Sequence, residues 1–296
     1  MTKRALVLGG GGPVGIAWET GLISGLARAG VDLGQADFIV GTSAGSFVGA
    51  RLAMGADAAS MVDPILVVRA EPAPAASPTP PRPAADLSML TRKMAEAQSG
   101  ARPAAEVRAE IGAWALEART VDEDTYIQSF GRSFASLPDD TWPTRGFACT
   151  AVDAVDGEFK LWTSGSGVGL VRAVASSCSV PGVYPPITIK GRRYIDGGMR
   201  SGTNADVARG YGLVVVVAVR VTNDNNPIAE RSRAVLDTEI AALKASGAEV
   251  IVLTPDAGSQ AALGLNLMDF AQRRPAAEAG LAQGRAEAAR LAAAWG

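Results

Sequence analysis

The sequence predicts one domain over residues 1–296, with a three-layer α/β/α fold around a mainly parallel central sheet. In the first 54 residues, short apolar runs alternate with helical stretches in the order β-α-β-α, which favours parallel strands joined by right-handed crossovers. Residues 213–219 and 248–253 form two further apolar, β-branched runs typical of buried strands. The chain has 296 residues and is 48% hydrophobic, which is enough for a sizeable buried core.

The first part of the predicted core, residues 5–54, contains two strands and two helices. Residues 5–8 are apolar and run into glycines, which predicts the first strand. Residues 16–29 carry apolar side chains at helical spacing and are followed by Gly30, a suitable C-terminal cap. Residues 38–40 predict the second strand, and residues 44–54 predict a buried helix because they are apolar on most sides.

Residues 55–145 are predicted to form a helical and proline-rich insertion over this core, either as a spacer or as a lid. Within it, residues 71–86 are dense in Pro and Ala and indicate an exposed, polyproline-like loop or linker. Residues 87–98 and 105–118 predict two helices that follow this segment.

The core resumes at residues 145–210, and residues 211–296 supply closing strands and a C-terminal helix. The elements predicted there are hairpins turning near 153–157 and 190–191, and helices over 168–177 and 278–295.

Composition excludes several classes of function. The formal net charge of −2 argues against a general electrostatic grip on nucleic acid. The absence of histidine excludes a histidine-based metal site. The cysteines, Cys149 and Cys178, form no Cys-x-x-Cys pair and fit a reducing compartment.

The apolar run at residues 5–8 is too short for a secretory signal, and that at 213–219 is far below the ~20 residues of a membrane span. We therefore expect a cytoplasmic protein, either soluble or peripheral to a membrane.

A glycine-rich loop lies between the first predicted strand and helix. Gly10, Gly12 and Gly15 form the pattern G-x-G-x-x-G, which in some folds cradles a dinucleotide or phosphate. That interpretation needs an acidic residue at the end of the second strand. Asp37 lies at the beginning of that strand instead, so half of the fingerprint is missing and a nucleotide-binding oxidoreductase is disfavoured. The alternative for this motif alone is a tight structural turn.

The segment Gly41-Thr42-Ser43-Ala44-Gly45 has the form G-x-S-x-G, which places a nucleophilic serine at a sharp strand-to-helix turn. Small residues at Gly41 and Gly45 suit the crowding of such a turn. Because both glycine-bearing turns follow neighbouring parallel strands, they open at the same sheet edge. The N–H groups of Gly11 and Gly12 could then form an oxyanion hole for a carbonyl attacked by Ser43. Such a serine normally needs a histidine, and the chain has none.

A third motif, Asp196-Gly197-Gly198, ends the second predicted hairpin. Taken alone it indicates an Asp-Gly turn. Without histidine, however, carboxylates are the remaining candidates for a base. Burial raises the pKa of a carboxylate and so makes it a stronger base. Lysine is the main rival, but no Ser-x-x-Lys pattern surrounds Ser43.

These three motifs, in this order, resemble the patatin-like phospholipase family. The stretch at residues 175–198, "ASSCSVPGVYPPITIKGRRYIDGG", also resembles the small residues, Pro-Gly, Pro-Pro, hairpin and Asp-Gly of that family. The resemblance covers about residues 5–210 and is specific as a set. It implies a patatin-like fold and a Ser-Asp dyad that works without histidine.

The resemblance also implies an activity, that of a serine acyl hydrolase cleaving carboxylic esters of lipids. Ser43 would be the nucleophile, Asp196 the base, and Gly10, Gly11 and Gly12 the oxyanion hole. This chemistry requires no metal or other cofactor. The expected partner is a lipid or ester substrate met at a transient membrane or micelle surface, without nucleic acid. The alternative is a non-catalytic lipid-binding or scaffolding protein on the same fold.

One position departs from the family pattern. Family members often carry a basic residue before the last glycine of the loop, where this chain has Val14, preceded by Pro13. Backbone donors survive this change, but a positive charge that would help to hold a phosphate head group is missing. The departure bears on phospholipid preference more than on ester hydrolysis.

Overall fold

A computed structural model of the chain describes residues 2–67, 88–134, 141–219 and 227–295, and it is built around one mainly parallel sheet. The strands are β1 (Arg4–Leu8), β2 (Phe38–Gly41), β3 (Gly146–Asp153), β4 (Phe159–Thr163), β5 (Ile187–Ile189), β6 (Arg192–Asp196), β7 (Leu213–Val217) and β8 (Glu249–Leu253). Their order is β5-β6-β3-β2-β1-β7-β8, and β4 pairs with β3. Neighbouring strands in the run β3-β2-β1-β7-β8 are parallel. The antiparallel pairs are β3 with β4, β3 with β6, and β5 with β6.

Helices surround this sheet. They are α1 (Gly12–Arg28), α2 (Ala44–Ala53), α3 (Asp63–Val67), α4 (Ser88–Ser99), α5 (Ala104–Glu117), α6 (Glu123–Gly131), α7 (Leu170–Ser177), α8 (Pro227–Ala245), α9 (Ala257–Leu263) and α10 (Arg273–Trp295).

Alternate residues of β1 pack on opposite faces of the sheet. Leu6 and Leu8 belong to a buried cluster shared with α1, α2, α7 and α10. Ala5 and Val7 belong to a second cluster, which α8 covers with side chains such as Leu243. This period of two, with helices on both faces, gives the predicted three layers.

Most of the predicted elements are confirmed within one to three residues of their expected bounds. The largest differences are at helix starts: α1 begins at Gly12 rather than at residue 16, and α10 at Arg273 rather than at residue 278. Pro13 explains the first case, because its fixed φ suits the first turn of a helix. The second half of the glycine motif is therefore the start of α1 and not a loop.

The predicted insertion contributes helices to the described structure. The two expected helices correspond to α4 and α5, and α3 and α6 are additional. Ile111 of α5 packs against Val152 of β3 and Ile195 of β6 in a third buried cluster. The Pro/Ala-rich segment at residues 71–86 lies outside the described residues.

Helices α1 and α10 approach each other closely through glycines on both sides. A Cβ atom added at Gly25 would lie 2.3 Å from the carbonyl oxygen of Leu281, and one added at Gly280 would lie 2.3 Å from that of Trp18. Backbone therefore packs directly on backbone, which fixes α10 along α1 and places its first turn beside the start of α1.

Glu19 is a buried carboxyl group in α1. Its side chain is fully buried, and neither carboxylate oxygen has a hydrogen-bond partner among the described residues. Burial raises the pKa of Glu19 well above its usual value of 4.5. The folded chain therefore holds the Glu19 proton to a higher pH than the unfolded chain does.

We expect Glu19→Gln to stabilise the protein increasingly as pH rises. The stability linked to the Glu19 proton is complete below pH 4.5 and declines as pH rises towards the raised pKa of the folded state. Gln keeps the shape without this loss, so it should gain about 1 kcal/mol or more at pH 8 and much less at pH 5. Urea unfolding at the two pH values measures the difference. A gain that is the same at both would contradict a buried, protonated Glu19.

Candidate active site

A cavity of about 360 Å³ lies where β1 and β2 end. The starts of α1 and α2 line it with Gly12, Ser43 and Ala44, and α6 lines it with Tyr126 and Phe130. Met268, Phe270 and Arg273, just before and at the start of α10, complete this part of the lining. Its aromatic and aliphatic lining is typical of a site for an apolar ligand with few polar groups.

Ser43 occupies the turn between β2 and α2, as the G-x-S-x-G pattern predicts. Its backbone has φ 52° and ψ −118°, a conformation that residues other than glycine rarely adopt. Its side chain lines the cavity and is only 6% exposed. A strained serine facing a cavity is a frequent feature of functional sites.

The two glycines that flank this serine allow close packing. A Cβ atom at Gly45 would lie 2.2 Å from the carbonyl oxygen of Leu8, and one at Gly41 would lie 2.4 Å from that of Gly45. The end of β1 therefore touches the turn directly. Gly15 of α1 lies behind it, with a Cβ position 3.7 Å from that of Ala44.

The glycine loop passes beside Ser43, and its N–H groups differ in their partners. A Cβ atom at Gly10 would lie 3.2 Å from the Cβ of Ser43. The N–H of Gly10 donates to the carbonyl oxygen of Gly202 at 2.8 Å, so it is engaged. The N–H groups of Gly11 and Gly12, at the start of α1, have no hydrogen-bond partner in the described part of the chain. They are the donors that an oxyanion could use.

Asp196 ends β6 and is 2% exposed. Its Oδ1 accepts a hydrogen bond of 2.7 Å from the N–H of Gly198, and its own N–H donates to the carbonyl oxygen of Ser179. A Cβ atom at Gly197 would lie 2.1 Å from Oγ1 of Thr150, so only glycine fits there. The Asp-Gly-Gly motif is thus a tightly packed turn that holds a buried carboxyl group.

Cys178 links the surroundings of the two candidate catalytic residues. Its Sγ donates to the carbonyl oxygen of Ser43 at 3.1 Å. Burial, assisted by the negative charge of Asp196, raises the pKa of this thiol above its usual range. Since the next residue, Ser179, accepts a hydrogen bond from the N–H of Asp196, the structure brings Ser43 and Asp196 to one region. It also leaves Cys178 a neutral thiol, which is a poor nucleophile.

Asn204 connects the two turns through hydrogen bonds. Its Nδ2 donates to Oγ1 of Thr42 at 3.0 Å and to the carbonyl oxygen of Gly197 at 3.3 Å. Oγ1 of Thr42 also contacts that of Thr150 at 2.9 Å. One buried amide thus fixes the residue before Ser43 relative to the residue after Asp196.

Several residues at this site were not predicted from the sequence. Oγ of Ser177 accepts a hydrogen bond of 3.0 Å from the N–H of Ser43, and the hydroxyl of Tyr126 donates to the carbonyl oxygen of Cys178 at 2.8 Å. Ser177 and Cys178 belong to the run of small residues at 175–178, which is the sequence feature that could have indicated them. Tyr126 and Arg273 come from distant segments, and no sequence motif indicated them.

The described residues contain no group of three or more Cys, Asp or Glu side chains arranged to hold a metal ion. Within the same residues, no helix is both long enough and apolar enough to cross a membrane.

Solved structures similar to this chain include VipD and ExoU. VipD from Legionella pneumophila aligns with a TM-score of 0.47 and 13% identity, covering 98% of this chain and 67% of VipD. The type III effector protein ExoU aligns with a TM-score of 0.37 and 16% identity, covering 96% of this chain and 54% of ExoU.

Sequence comparison identifies the family. A family model described as patatin-like phospholipase matches residues 6–209. Lysophospholipase nte1 of Aspergillus niger is 31% identical over 224 residues, and that of Aspergillus fumigatus is 30% identical over the same length. These alignments cover 75% of this chain but 12% of each fungal protein, so the chain spans about an eighth of the length of these relatives. This chain belongs to the patatin-like phospholipase family.

Proposed function

We propose that this chain is a serine acyl hydrolase that cleaves carboxylic esters of lipids, with Ser43 as nucleophile and Asp196 as base. The observation that carries the proposal is the strained Ser43 turn, which faces an apolar cavity while Asn204 ties it to the turn of Asp196. The patatin-like family and the fungal relatives named lysophospholipases support a lipid substrate.

The proposed reaction has two halves. Oγ of Ser43 attacks the ester carbonyl carbon while Asp196 accepts its proton, and Asp196 then returns that proton to the oxygen of the leaving alcohol. A water molecule next attacks the acyl-enzyme and gives its proton to Asp196. The fatty acid leaves as the proton returns to Ser43. Asp196 ends each cycle as it began, and no other reactant is consumed.

The N–H groups of Gly11 and Gly12 are the proposed oxyanion hole, because both lack partners among the described residues. The N–H of Gly10 is engaged by Gly202, so we give Gly10 a different role: it lets the loop approach Ser43. The position at the start of α1 adds the positive end of a helix dipole. Losing one such donor typically costs about 10²–10³ in rate.

The cavity walls support an acyl-chain site. Phe47 of α2 packs edge-to-face on Phe130 of α6, and both line the cavity. Since α6 belongs to the predicted insertion at 55–145, we propose that this part of the insertion shapes the substrate site and is more than a spacer. We also propose that the protein acts in the cytoplasm at the surface of a membrane or micelle, where such esters collect.

Labelling with a fluorophosphonate, followed by peptide mapping, tests this function. We expect one label per chain, at Ser43, and hydrolysis of at least one class in a panel of p-nitrophenyl esters, lysophospholipids, phospholipids and triacylglycerols. A protein that neither labels nor hydrolyses any of these, yet binds lipid, would instead be the non-catalytic lipid-binding protein.

A further inference from the structure

Arg273 places a positive charge in the cavity that holds Ser43. It is the first residue of α10 and lies far from Ser43 in the sequence. Among the described residues that line the cavity, Arg273 is the only charged one. The described lining therefore offers the charged group of a ligand one guanidinium and no carboxylate.

The guanidinium lacks the partners that a buried arginine usually has. Its Nε is buried without a hydrogen-bond partner, and the described residues give Arg273 no salt bridge. Burial lowers the pKa of Arg273. The neighbouring Arg274 differs: it is exposed and pairs with Glu278 at 2.9 Å. A partly buried, unpaired arginine is costly unless a ligand supplies the anion.

The segment before Arg273 packs onto the glycine loop. The carbonyl oxygen of Leu267 accepts a hydrogen bond of 3.2 Å from the N–H of Val14. A Cβ atom at Gly12 would lie 2.7 Å from that same oxygen and 3.0 Å from Sδ of Met268. The guanidinium carbon of Arg273 lies 5.8 Å from the ring centre of Phe270, which also lines the cavity. Arg273 is thus positioned beside the loop that carries the proposed oxyanion donors.

We propose that Arg273 binds the phosphate group of the substrate and so determines a preference for acyl esters that carry a phosphate. This inference rests on the proposed function and adds a specificity-determining residue to it. A guanidinium presents paired N–H donors that match two phosphate oxygens. Val14 leaves the glycine motif without a basic side chain, and the start of α10 supplies a positive charge to the same cavity.

Two esters with the same acyl chain separate the phosphate from the rest of the substrate: a lysophosphatidylcholine and a monoacylglycerol, each below its critical micelle concentration. For Arg273→Gln we expect KM for the lysophospholipid to rise about 10-fold or more, the range lost with a charge-assisted hydrogen bond. Hydrolysis of the monoacylglycerol should stay within about twofold of wild type. Arg274→Gln, the matched control on the exposed face, should change neither, and Arg273→Lys should restore part of the preference.

A binding measurement separates failure of this inference from failure of the proposed function. Dodecylphosphocholine has a phosphate and no ester, so calorimetry with it below its micelle concentration needs no catalysis. We expect Arg273→Gln to weaken its binding about 10-fold or more, with unchanged thermal unfolding. If the wild type hydrolyses no ester but Arg273→Gln still weakens the binding of dodecylphosphocholine, the proposed function fails and the role of Arg273 stands.

Two results would overturn the role of Arg273. One is an equal effect of Arg273→Gln on both esters, or no effect on either. The other is tight, saturable binding of inorganic phosphate alone that Arg273→Gln removes, which would assign the site to free phosphate rather than to a lipid head group.

Discussion

Replacing Ser43 by alanine is expected to abolish fluorophosphonate labelling and to lower kcat/KM for a soluble p-nitrophenyl ester by about 10³-fold or more. The substitution removes only Oγ. The N–H of Ser43, which donates to Ser177, and its carbonyl oxygen, which accepts from Ser46 and Cys178, remain in place. We therefore expect thermal unfolding of the variant to stay close to that of the wild type.

Ser133→Ala is the matched control for this prediction. Ser133 lines the same cavity but lies in the short turn after α6, away from the strand-to-helix turn. It should keep both labelling and hydrolysis. If Ser43→Ala still labels fully, at Ser129, Ser133 or Ser177, the nucleophile has been assigned to the wrong residue.

The Ser43 turn could be predicted from the sequence because its geometry is local. The glycines at 41 and 45 lie within two residues of Ser43, and the apolar runs on either side identify a strand and a helix. The same is true of the turn after Asp196, which two glycines follow directly. Turns of this kind can be predicted because their backbone conformation depends mainly on residues adjacent in the sequence.

The contacts between distant segments could not be predicted in this way. Which loop N–H groups lack partners depends on Gly202, which accepts from Gly10. The place of α10 depends on glycines in α1 and α10 that allow backbone contact, and glycine within a helix is by propensity an unfavourable residue. Arg273 follows from that contact, because only the docking of α10 brings its first turn to the cavity.

Replacing Asp196 by asparagine is the sharpest test of the dyad, because the alternative predicts the opposite result. Oδ1 of Asp196 accepts the N–H of Gly198 at 2.7 Å, and the side-chain oxygen of asparagine can accept the same bond. Asparagine is also a good turn residue. If Asp196 only shapes the turn, Asp196→Asn should keep nearly full activity and stability.

As a general base, by contrast, Asp196 cannot be replaced by an amide, which accepts no proton at neutral pH. We then expect Asp196→Asn to lower kcat by about 10²–10⁴-fold, with KM for a soluble ester nearly unchanged and thermal unfolding preserved. Asp156→Asn is the control, because Asp156 is exposed and pairs with Arg192 on the surface of the hairpin formed by β3 and β4. A fully active Asp196→Asn enzyme would remove Asp196 from the mechanism. The buried Asp153 and the ion-paired Asp206 would then be the next carboxylates to test as the base.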